Sequence, residues 1–541
     1  MAKGKCIVAA CCMLFFLACN NPSGDDQLGT AFFEVDGKPE AVDQFNKGLL
    51  LLHSFEFKDA AEAFIQAQQL DPNIAMAYWG EAMTYNHPLW AEQDYDKAIA
   101  ALKKLAPTPA ERLARAGNGL EAGFMRAVDI LYGEGSKFER DKAYAEYMAQ
   151  LHEKYPDNQE VAAFYALSLL GSVPVGRDEE VYEKGAIIAK GILEENPNHP
   201  GALHYLIHAY DDPNHAYDAL GAANSYSQVA SAAAHALHMP SHIYVALGMW
   251  NKVVASNEVS FQASVDRKAR KSLNNDALGY HSLQWLEYGY LQQGRISRAT
   301  EIAKDMQTYV TALPSGRARV HMILIKGAYL IDTENYQSEI AGIDVRSEDL
   351  NISIHAMNNF IEGLKQLANN DIMAAKATAD AMESNRKKVT IQLQSDGLTL
   401  CSSVGWENQA ANQLDIDQAS IMEMELRAMI ADRNNDATKA EEWLRQATEL
   451  ESEISYSYGP PAVLKPSHEL YGEWLLEQAR PKDALDQFEY GLKRAPMRAK
   501  LLQGELEAAV ALSLNERAAE IRSQLDKILA QADKGNSLAS L

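Results

Sequence analysis

The sequence predicts an all-α protein in which antiparallel helix pairs stack into a solenoid. Apolar residues recur at helical spacing in segments such as AAEAFIQAQQL (60–70) and AEEWLRQATEL (440–450). Sustained alternation of apolar and polar residues is absent, apart from a short stretch within 385–420. One spacing of small residues, phenylalanine and proline also occurs near both ends of the chain, which is typical of a repeat built from helix pairs.

The two clearest copies of this repeat share the same intervals between their marker residues. They are Gly48, Ala60, Phe64, Ala67 and Pro72, and then Gly472, Ala484, Phe488, Gly491 and Pro496. This is the pattern of the tetratricopeptide repeat (TPR), in which small residues let two helices approach and phenylalanine fills the space between pairs. Weaker copies lie between them, so we expect a TPR-type α-solenoid of roughly ten to twelve units between Ala41 and Ala532.

The chain divides into six predicted segments. Residues 1–18 are expected to be a signal peptide and residues 19–36 a polar tether. Residues 37–384 form the N-terminal and central solenoid, and residues 421–532 form the C-terminal units. Between them, residues 385–420 alternate around an Asp-Gly pair and predict a hairpin or an irregular loop. Residues 533–541 are expected to fray.

The N-terminus predicts a protein anchored by lipid in the cell envelope. Lys3 and Lys5 precede an apolar run (6–18) that is too short to span a bilayer, which is the layout of a signal peptide. The run ends in FLAC (16–19), which resembles a bacterial lipobox and implies that Cys19 is lipidated and anchors the protein to the outer membrane. The alternative is a simple secretory signal with an incidental cysteine.

Charge and cysteine content exclude several classes of function. The net charge is −24 and becomes −26 without Lys3 and Lys5, so the overall field does not favour nucleic acid or anionic lipid. After the signal is removed and Cys19 is lipidated, Cys401 is the single remaining thiol. We therefore expect neither a disulfide framework nor a cysteine-rich metal site.

Several segments resemble one group of bacterial TPR proteins, many of which are lipoproteins. The segments include FNKGLLLLHSFEFKDAAEAF, AMAYWGEAMTYNHPLW, HPGALHYLIHAYDDPNHA, HALHMPSHIYVALGMW, a run beginning YHSLQWLEYGYLQQGR and a run beginning GPPAVLKPSHELYGE. Similar lipoproteins occur in Bacteroidetes envelopes, within polysaccharide-utilisation systems that include those for marine algal polymers such as ulvan. The resemblance implies this architecture and context, and it implies no particular biochemical activity.

Seven of the 14 histidines lie between His199 and His242. His204 and His208 are four residues apart, so a helix presents both imidazoles on one face, as in helical zinc sites. In the stretch HALHMPSH (235–242), Pro240 interrupts the helix. We expect a new helix to begin there, with His242 in its first turn.

His235 and His238 then belong to the preceding helix or to its lead-in. Stacking of neighbouring pairs would bring these residues to the face of the 204–208 pair, with Asp211 and Asp212 as acceptors that orient the rings. Such a site suits Zn²⁺, Cu²⁺ or Ni²⁺. Two alternatives remain open, a site for a ligand or peptide and a polar packing layer between repeats.

The segment YWGEAMTYNHPLW (78–90) offers a second candidate binding site. Tyr78, Trp79, His87 and Trp90 can form an aromatic platform for a sugar or an extended peptide. The alternative is that Tyr78 and Trp79 pack between helices, which leaves Trp90 as the residue expected to be exposed.

Together these observations predict a non-catalytic, lipid-anchored TPR scaffold whose concave face binds a protein or peptide. The sequence contains no recognisable catalytic constellation and predicts no cofactor; a divalent transition metal belongs only to the alternative function. The alternative function is a metal-binding protein or a metal-dependent enzyme that uses the histidines from His199 to His242. Direct binding of a sulfated glycan is disfavoured because an acidic surface repels a polyanion.

Overall fold

The computed structural model describes residues 27–90, 92–395, 411–456 and 458–534. Within these ranges the chain is almost entirely helical, and successive helices pack as pairs along the array. The strands in the described residues are β1 (Asn86–His87) and β2 (Glu92–Gln93), which pair antiparallel around a single 3₁₀ turn. The predicted all-α TPR-type solenoid is confirmed.

The helices of the first half include the pairs that carry the histidines. They are α1 (Pro39–His53), α2 (Phe57–Leu70), α3 (Ala75–Met83), α4 (Tyr95–Leu105), α5 (Pro109–Arg115), α6 (Leu120–Leu131), α7 (Lys137–Lys154), α8 (Gln159–Gly171), α9 (Glu179–Glu195), α10 (Pro200–Ala209), α11 (Ala216–Val229), α12 (Ala234–His238), α13 (Pro240–Ala246) and α14 (Trp250–Lys271).

The second half continues the array in the same manner. Its helices are α15 (Tyr280–Gln292), α16 (Ile296–Ala312), α17 (Gly316–Thr333), α18 (Ile352–Ala368), α19 (Ile372–Ser395), α20 (Gln413–Arg433), α21 (Ala437–Glu453), α22 (Ser467–Glu477), α23 (Pro481–Arg494), α24 (Ala499–Ala511) and α25 (Asn515–Ile528).

The spacing that the two clear repeats share has a direct packing explanation. The ring of Phe64 lies between Gly48 of its own pair and Gly80 of the next pair, and an added Cβ would come within 2.8 Å and 2.4 Å of that ring. Phe488 occupies the equivalent position between Gly472 and Gly504. Glycine is needed because each phenylalanine fills the space in which a methyl group would otherwise project.

The segment before α1 differs from the predicted polar tether. Residues 19–26 lie outside the described residues, but residues 27–36 pack against the array. Phe33 is 1% exposed and contacts the rings of Phe45 and Phe124, at centroid distances of 5.9 Å and 4.9 Å. The backbone N–H of Thr30 donates to the carbonyl of Asn198 at 2.9 Å. The prediction of a tether is therefore wrong for residues 27–36, because buried apolar side chains fix this segment.

The predicted insert at 385–420 is also largely helical where it is described. Helix α19 continues to Ser395 and α20 begins at Gln413. The Asp-Gly pair on which the hairpin prediction depended lies outside the described residues. The prediction is wrong for 385–395 and 413–420, because a few residues of alternation do not outweigh the helical continuation of the array.

The C-terminal end of the described chain forms hydrogen bonds with the start of α16 and the turn before it. Asp533, which was expected to fray, donates its backbone N–H to the carbonyl of Gly294 at 3.0 Å and accepts from the backbone N–H of Ser297 at 2.6 Å. Residues 535–541 lie outside the described residues. The prediction of a frayed tail is therefore wrong at Asp533.

Distant repeats also contact one another, so the solenoid closes on itself. The indole N–H of Trp250 donates to the carbonyl of Met497 at 2.8 Å. The backbone N–H of Arg177, just before α9, likewise donates to the hydroxyl of Ser455, just after α21, at 3.0 Å. This closure places the inner surface of α10 to α15 in the protein interior, where the histidines lie.

Candidate metal centre

Helix α10 carries the first pair of candidate ligands. His199 caps its N-terminus by accepting the backbone N–H of Ala202 at 3.1 Å, and Pro200 follows at the first helical position. His204 and His208 share the inner face of the helix, with ring centroids 4.9 Å apart, as their spacing predicted. Both are buried.

The predicted break at Pro240 is present. Helix α12 ends at His238, Met239 connects the two segments, and Pro240 starts α13. His242 therefore lies in the first turn of α13, while His235 and His238 lie on α12. The three rings do not share one helix face: His235 lies against His204, whereas His238 and His242 face each other.

The first triad consists of His204, His208 and His235, whose ligand atoms all lie within 4.8 Å of one another. Nδ1 of His204 is 2.7 Å from the carbonyl oxygen of His53, so this nitrogen carries the hydrogen and donates it. The other nitrogen, Nε2, keeps its lone pair and lies 3.2 Å from Nε2 of His235.

His208 is arranged in the same way. Its Nδ1 donates to Oδ2 of Asp211 at 3.3 Å. Its Nε2 is buried and has no hydrogen-bond partner among the described residues. Leaving a buried acceptor unsatisfied costs about 1–3 kcal/mol, so this atom calls for an explanation.

The second triad consists of His238, His242 and His281, again with ligand atoms within 4.8 Å of one another. Nε2 of His238 and Nε2 of His242 lie 3.2 Å apart. His281 comes from α15, in the following repeat, and its ring centroid is 4.7 Å from that of His238. The sequence does not predict His281 as a ligand, because the position of this histidine in YHSLQW offers no spacing signal.

Asp211 lies between the two triads. It accepts from His208 and, at 3.1 Å, from Nδ1 of His242, and it forms an ion pair with Arg177. Burial alone would raise the pKa of the Asp211 carboxyl, but the hydrogen bonds from the two imidazoles and the Arg177 charge outweigh burial and hold this pKa below its ordinary value. Asp211 thus accepts from two of the predicted rings, and its role in orienting them towards a metal stays a prediction.

Asp212 has a different place. Its carboxylate accepts from Nη2 of Arg177 at 3.1 Å and from Nδ1 of His215 at 2.8 Å. Asp212 makes no direct contact with a histidine of either triad. Asp212 is therefore not an acceptor for the rings of either triad, and the prediction that it orients them is wrong, because its carboxylate is taken by Arg177 and His215.

Five imidazoles of the two triads favour their neutral form. Burial lowers the pKa well below its ordinary value in four of them, those of His204, His235, His238 and His281. Burial also lowers the pKa of His242 to about 4, against the opposing effect of its hydrogen bond to a carboxylate. Neutral imidazole is the form that binds a metal ion.

Aromatic rings surround both triads. Phe55, which adopts a left-handed backbone conformation (φ 54°) just after α1, places its ring 4.3 Å from that of His204. The ring of Trp285 lies 4.6 Å from that of His242, and Tyr458 covers the same imidazole at 5.1 Å. Gly459 is needed beside them, because an added Cβ would lie 2.2 Å from Trp285. The inner surface here is filled, so these rings do not face an open concave groove.

The predicted aromatic platform does not form as a unit. Trp79 is fully buried and packs on Phe124 and Phe164, while the Tyr78 hydroxyl donates to the carbonyl of Pro72 at 3.2 Å. The two residues belong to the helix packing, which was the alternative interpretation.

His87 and Trp90 instead lie between the first triad and the protein surface. The ring of His87 stacks on Phe57 at 4.1 Å, and Trp90 packs 5.9 Å from His235. Trp90 is 38% exposed, so it forms the solvent-facing wall beside the first triad.

A third buried group, which no sequence pattern predicts, consists of Glu160 on α8, His53 on α1 and His199 at the start of α10. Glu160 accepts from Nε2 of His53 at 2.8 Å and from Nε2 of His199 at 3.1 Å. Burial raises the pKa of Glu160, but the two imidazoles outweigh it and lower the pKa to about 2. Both imidazoles already donate to this carboxylate, so the group is satisfied without a metal. Its members are far apart in sequence, and no local pattern marks them.

The donor set of the two triads fits a divalent transition metal. Two nitrogens bound to one tetrahedral zinc ion at 2.0–2.1 Å lie about 3.3 Å apart. One pair in each triad comes close to this separation, His204 and His235 at 3.2 Å and His238 and His242 at 3.2 Å. Ligating histidines commonly donate their second N–H to a carboxylate or carbonyl, as His204, His208 and His242 do. Imidazole ligands suit Zn²⁺, Cu²⁺ and Ni²⁺.

No protein-family model matches the chain, and no curated protein matches it. Among solved structures it is similar to yeast Tom70, with 15% identity, coverage of 90% of this chain and 98% of that chain, and a TM-score of 0.34. It is also similar to the Cut9–Hcn1 hetero-tetramer of the APC/C, with 12% identity, coverage of 94% of this chain and 77% of that chain, and a TM-score of 0.34. Similarity to the TPR domain of P58(IPK) has 10% identity, coverage of 88% of this chain and 99% of that chain, and a TM-score of 0.21. At these identities and TM-scores, the likeness says nothing about what the chain binds.

No helix in the described residues combines the length and apolar character needed to cross a membrane. The helix pairs themselves define a TPR-type array, which is a fold used for protein–protein interaction.

Proposed function

We propose that this protein is a TPR solenoid that binds a divalent transition metal at the first triad, His204, His208 and His235. The observation that carries the proposal is Nε2 of His208, a buried lone pair that no described residue satisfies. A metal ion held by the three imidazoles would satisfy it and would use the lone pair of His204 as well.

Hydrogen bonding within the protein does not explain the triad equally well. A hydrogen on Nε2 of His235 would satisfy Nε2 of His204, from which it is 3.2 Å away. The same hydrogen would leave Nε2 of His208 unsatisfied. A cation accounts for all three nitrogens at once, because it accepts a lone pair from each.

Metal content measured after controlled loading tests this proposal. The chelator-treated protein is incubated with Zn²⁺, Cu²⁺ or Ni²⁺, desalted and analysed for bound metal. We expect the His204→Ala/His208→Ala variant to bind one equivalent fewer than the wild type while keeping its helical circular dichroism. His355→Asn is the matched control, because His355 bonds Ser347 and Asn359 away from the centre. Absence of bound metal in the wild type under all three conditions would contradict the proposal.

A second candidate function is the binding of a protein or peptide partner by the solenoid. The outer helices of three consecutive pairs each expose a large apolar residue, Ile187 on α9, Tyr217 on α11 and Val259 on α14. Exposed apolar residues on a repeat array favour a partner surface. Capture of a reproducible partner from envelope membranes, and its loss when the three residues are replaced by serine, would support this function. Equal capture by the triple variant would count against this surface.

The cellular setting that we propose depends on the N-terminal sequence. The FLAC motif supports lipidation of Cys19 and attachment to the outer membrane, and the resemblance to Bacteroidetes lipoproteins supports an accessory role in an envelope uptake or polysaccharide-degradation system, such as one for ulvan. Labelling of cells with an alkynyl fatty acid tests the anchor. Label should disappear in Cys19→Ser and persist in Cys401→Ser, and label retained in Cys19→Ser would refute lipidation at this residue.

A further inference from the structure

In the second triad, His238, His242 and His281, neighbouring groups determine which nitrogen carries the hydrogen in His238 and in His242. Nδ1 of His238 lies 2.6 Å from Oδ1 of Asn257. The amide nitrogen of Asn257 already donates to the carbonyl of Val253 at 2.8 Å, so its oxygen is an acceptor towards the ring. Nδ1 of His238 therefore carries the hydrogen, and Nε2 has a lone pair.

The ring of His242 is oriented by a carboxylate. Its Nδ1 lies 3.1 Å from Oδ2 of Asp211, which accepts the hydrogen. Its Nε2 consequently also has a lone pair, and it faces Nε2 of His238 at 3.2 Å. Two lone pairs directed at each other in a buried site repel, whereas a cation between them binds both.

His281 completes the group from a third helix. Its ligand atom lies within 4.8 Å of those of His238 and His242, and the residue as a whole is half-buried. Trp285, one turn further along α15, packs against the same two rings and restricts their orientation. The three imidazoles thus converge from α12, α13 and α15 on one point.

The two triads share no ligand, yet Asp211 connects them. Oδ2 of this carboxylate accepts Nδ1–H of His208 from the first triad and Nδ1–H of His242 from the second. A bound metal makes the remaining N–H of its imidazole a stronger donor, so one carboxylate can support both ions. Arg177 holds the other oxygen of Asp211 in place.

We infer that His238, His242 and His281 bind a second divalent transition metal ion, so that the chain holds a pair of ions linked through Asp211. The inference rests on the proposed function at the first triad, and it adds a separate site with its own residues.

Zn²⁺ titration of the chelator-treated full chain, followed by calorimetry and elemental analysis, counts the ions. We expect two equivalents in the wild type and one in His281→Asn, with the affinity of the remaining site changed less than about threefold. His355→Asn should keep two. Circular dichroism checks each fold, and His238→Gln gives the same readout from another helix if His281→Asn is unstable. Replacing Zn²⁺ by Co²⁺ adds a visible spectrum for each tetrahedral nitrogen-rich site.

The outcomes separate this inference from the proposed function. One equivalent in both the wild type and His281→Asn would refute the second site and leave the first in place. Two equivalents in both proteins would show that the second ion binds elsewhere, which also refutes the inference. No binding to the wild type would refute both.

Discussion

Nε2 of His238 lies 3.2 Å from Nε2 of His242, and in both rings the hydrogen is on the opposite nitrogen. Protonation of one ring would remove the repulsion, but burial lowers the pKa of His242 to about 4 and that of His238 well below its ordinary value. The metal-free centre therefore carries an unfavourable electrostatic contact that a bound cation converts into a favourable one.

Metal binding should stabilise the fold. A ligand present at about 100 times its dissociation constant adds about 2.7 kcal/mol to the free energy of unfolding, provided that it binds only the folded state. Thermal unfolding of the wild type should shift upwards by several degrees with Zn²⁺ and return with EDTA. The His204→Ala/His208→Ala variant should show a smaller shift. An unfolding midpoint that is independent of Zn²⁺ in the wild type would contradict metal binding.

Asp211 and Asp212 should differ sharply in their effect on metal affinity. Asp211→Asn removes the carboxylate that accepts from both His208 and His242, and loss of such a partner typically costs 10- to 100-fold in affinity. Asp212→Asn is the matched control, because its side chain contacts Arg177 and His215 and neither triad. Calorimetry with Zn²⁺ measures both variants. Equal affinities for the two would refute a positioning role of Asp211.

Stability at acidic pH should depend on Glu160. Its pKa is about 2 in the folded state, below the ordinary value of 4.5. A carboxyl with a depressed folded-state pKa stabilises the protein above its unfolded pKa, and this contribution is lost as the pH falls from 4.5 towards 2. The shift corresponds to a contribution on the order of 3 kcal/mol at pH 7.

Urea unfolding of Glu160→Gln at pH 7 and pH 3 tests this expectation. The variant should be less stable than the wild type at pH 7, and the difference should shrink at pH 3. Glu153→Gln, on the exposed face of α7, should match the wild type at both values. A constant difference between Glu160→Gln and the wild type would show that the ionised carboxylate contributes nothing specific.

Phe33 should anchor the segment that precedes α1. It is buried against Phe45, Trp79 and Phe124, so Phe33→Ala should cost about 3–5 kcal/mol of unfolding free energy. Its neighbour Phe32 is 75% exposed and supplies a matched control, for which we expect a change of less than about 0.5 kcal/mol. Chemical unfolding measures both. Similar small effects would mean that residues 27–36 behave as the tether that the sequence predicted.

Much of the fold could be predicted because its signals are local. The interval between Gly48 and Phe64 reflects contact within one helix pair, and the interval between His204 and His208 reflects one turn of helix. The break at Pro240 follows from the missing backbone N–H of proline. Each of these relationships involves residues on the same helix or on two consecutive helices.

The candidate site could be predicted only in part. His281 joins His238 across 43 positions of sequence, and His53 joins Glu160 across 107. The burial of Trp79 and Phe33 likewise depends on α6 and α8, which lie far along the chain. No periodicity links such residues, because their contact depends on how much each repeat rotates against the next.

The sequence by itself therefore determined the helix pairs, their stacking and the faces on which His204, His208 and His242 lie. Local periodicity and the stiffness of proline are sufficient for those features. Only the tertiary structure decided that the solenoid closes over its inner surface, that His281 completes a second triad and that Asp211 lies between the two. These features arise from the accumulated rotation of successive repeats, to which every unit contributes a little and which no short segment encodes.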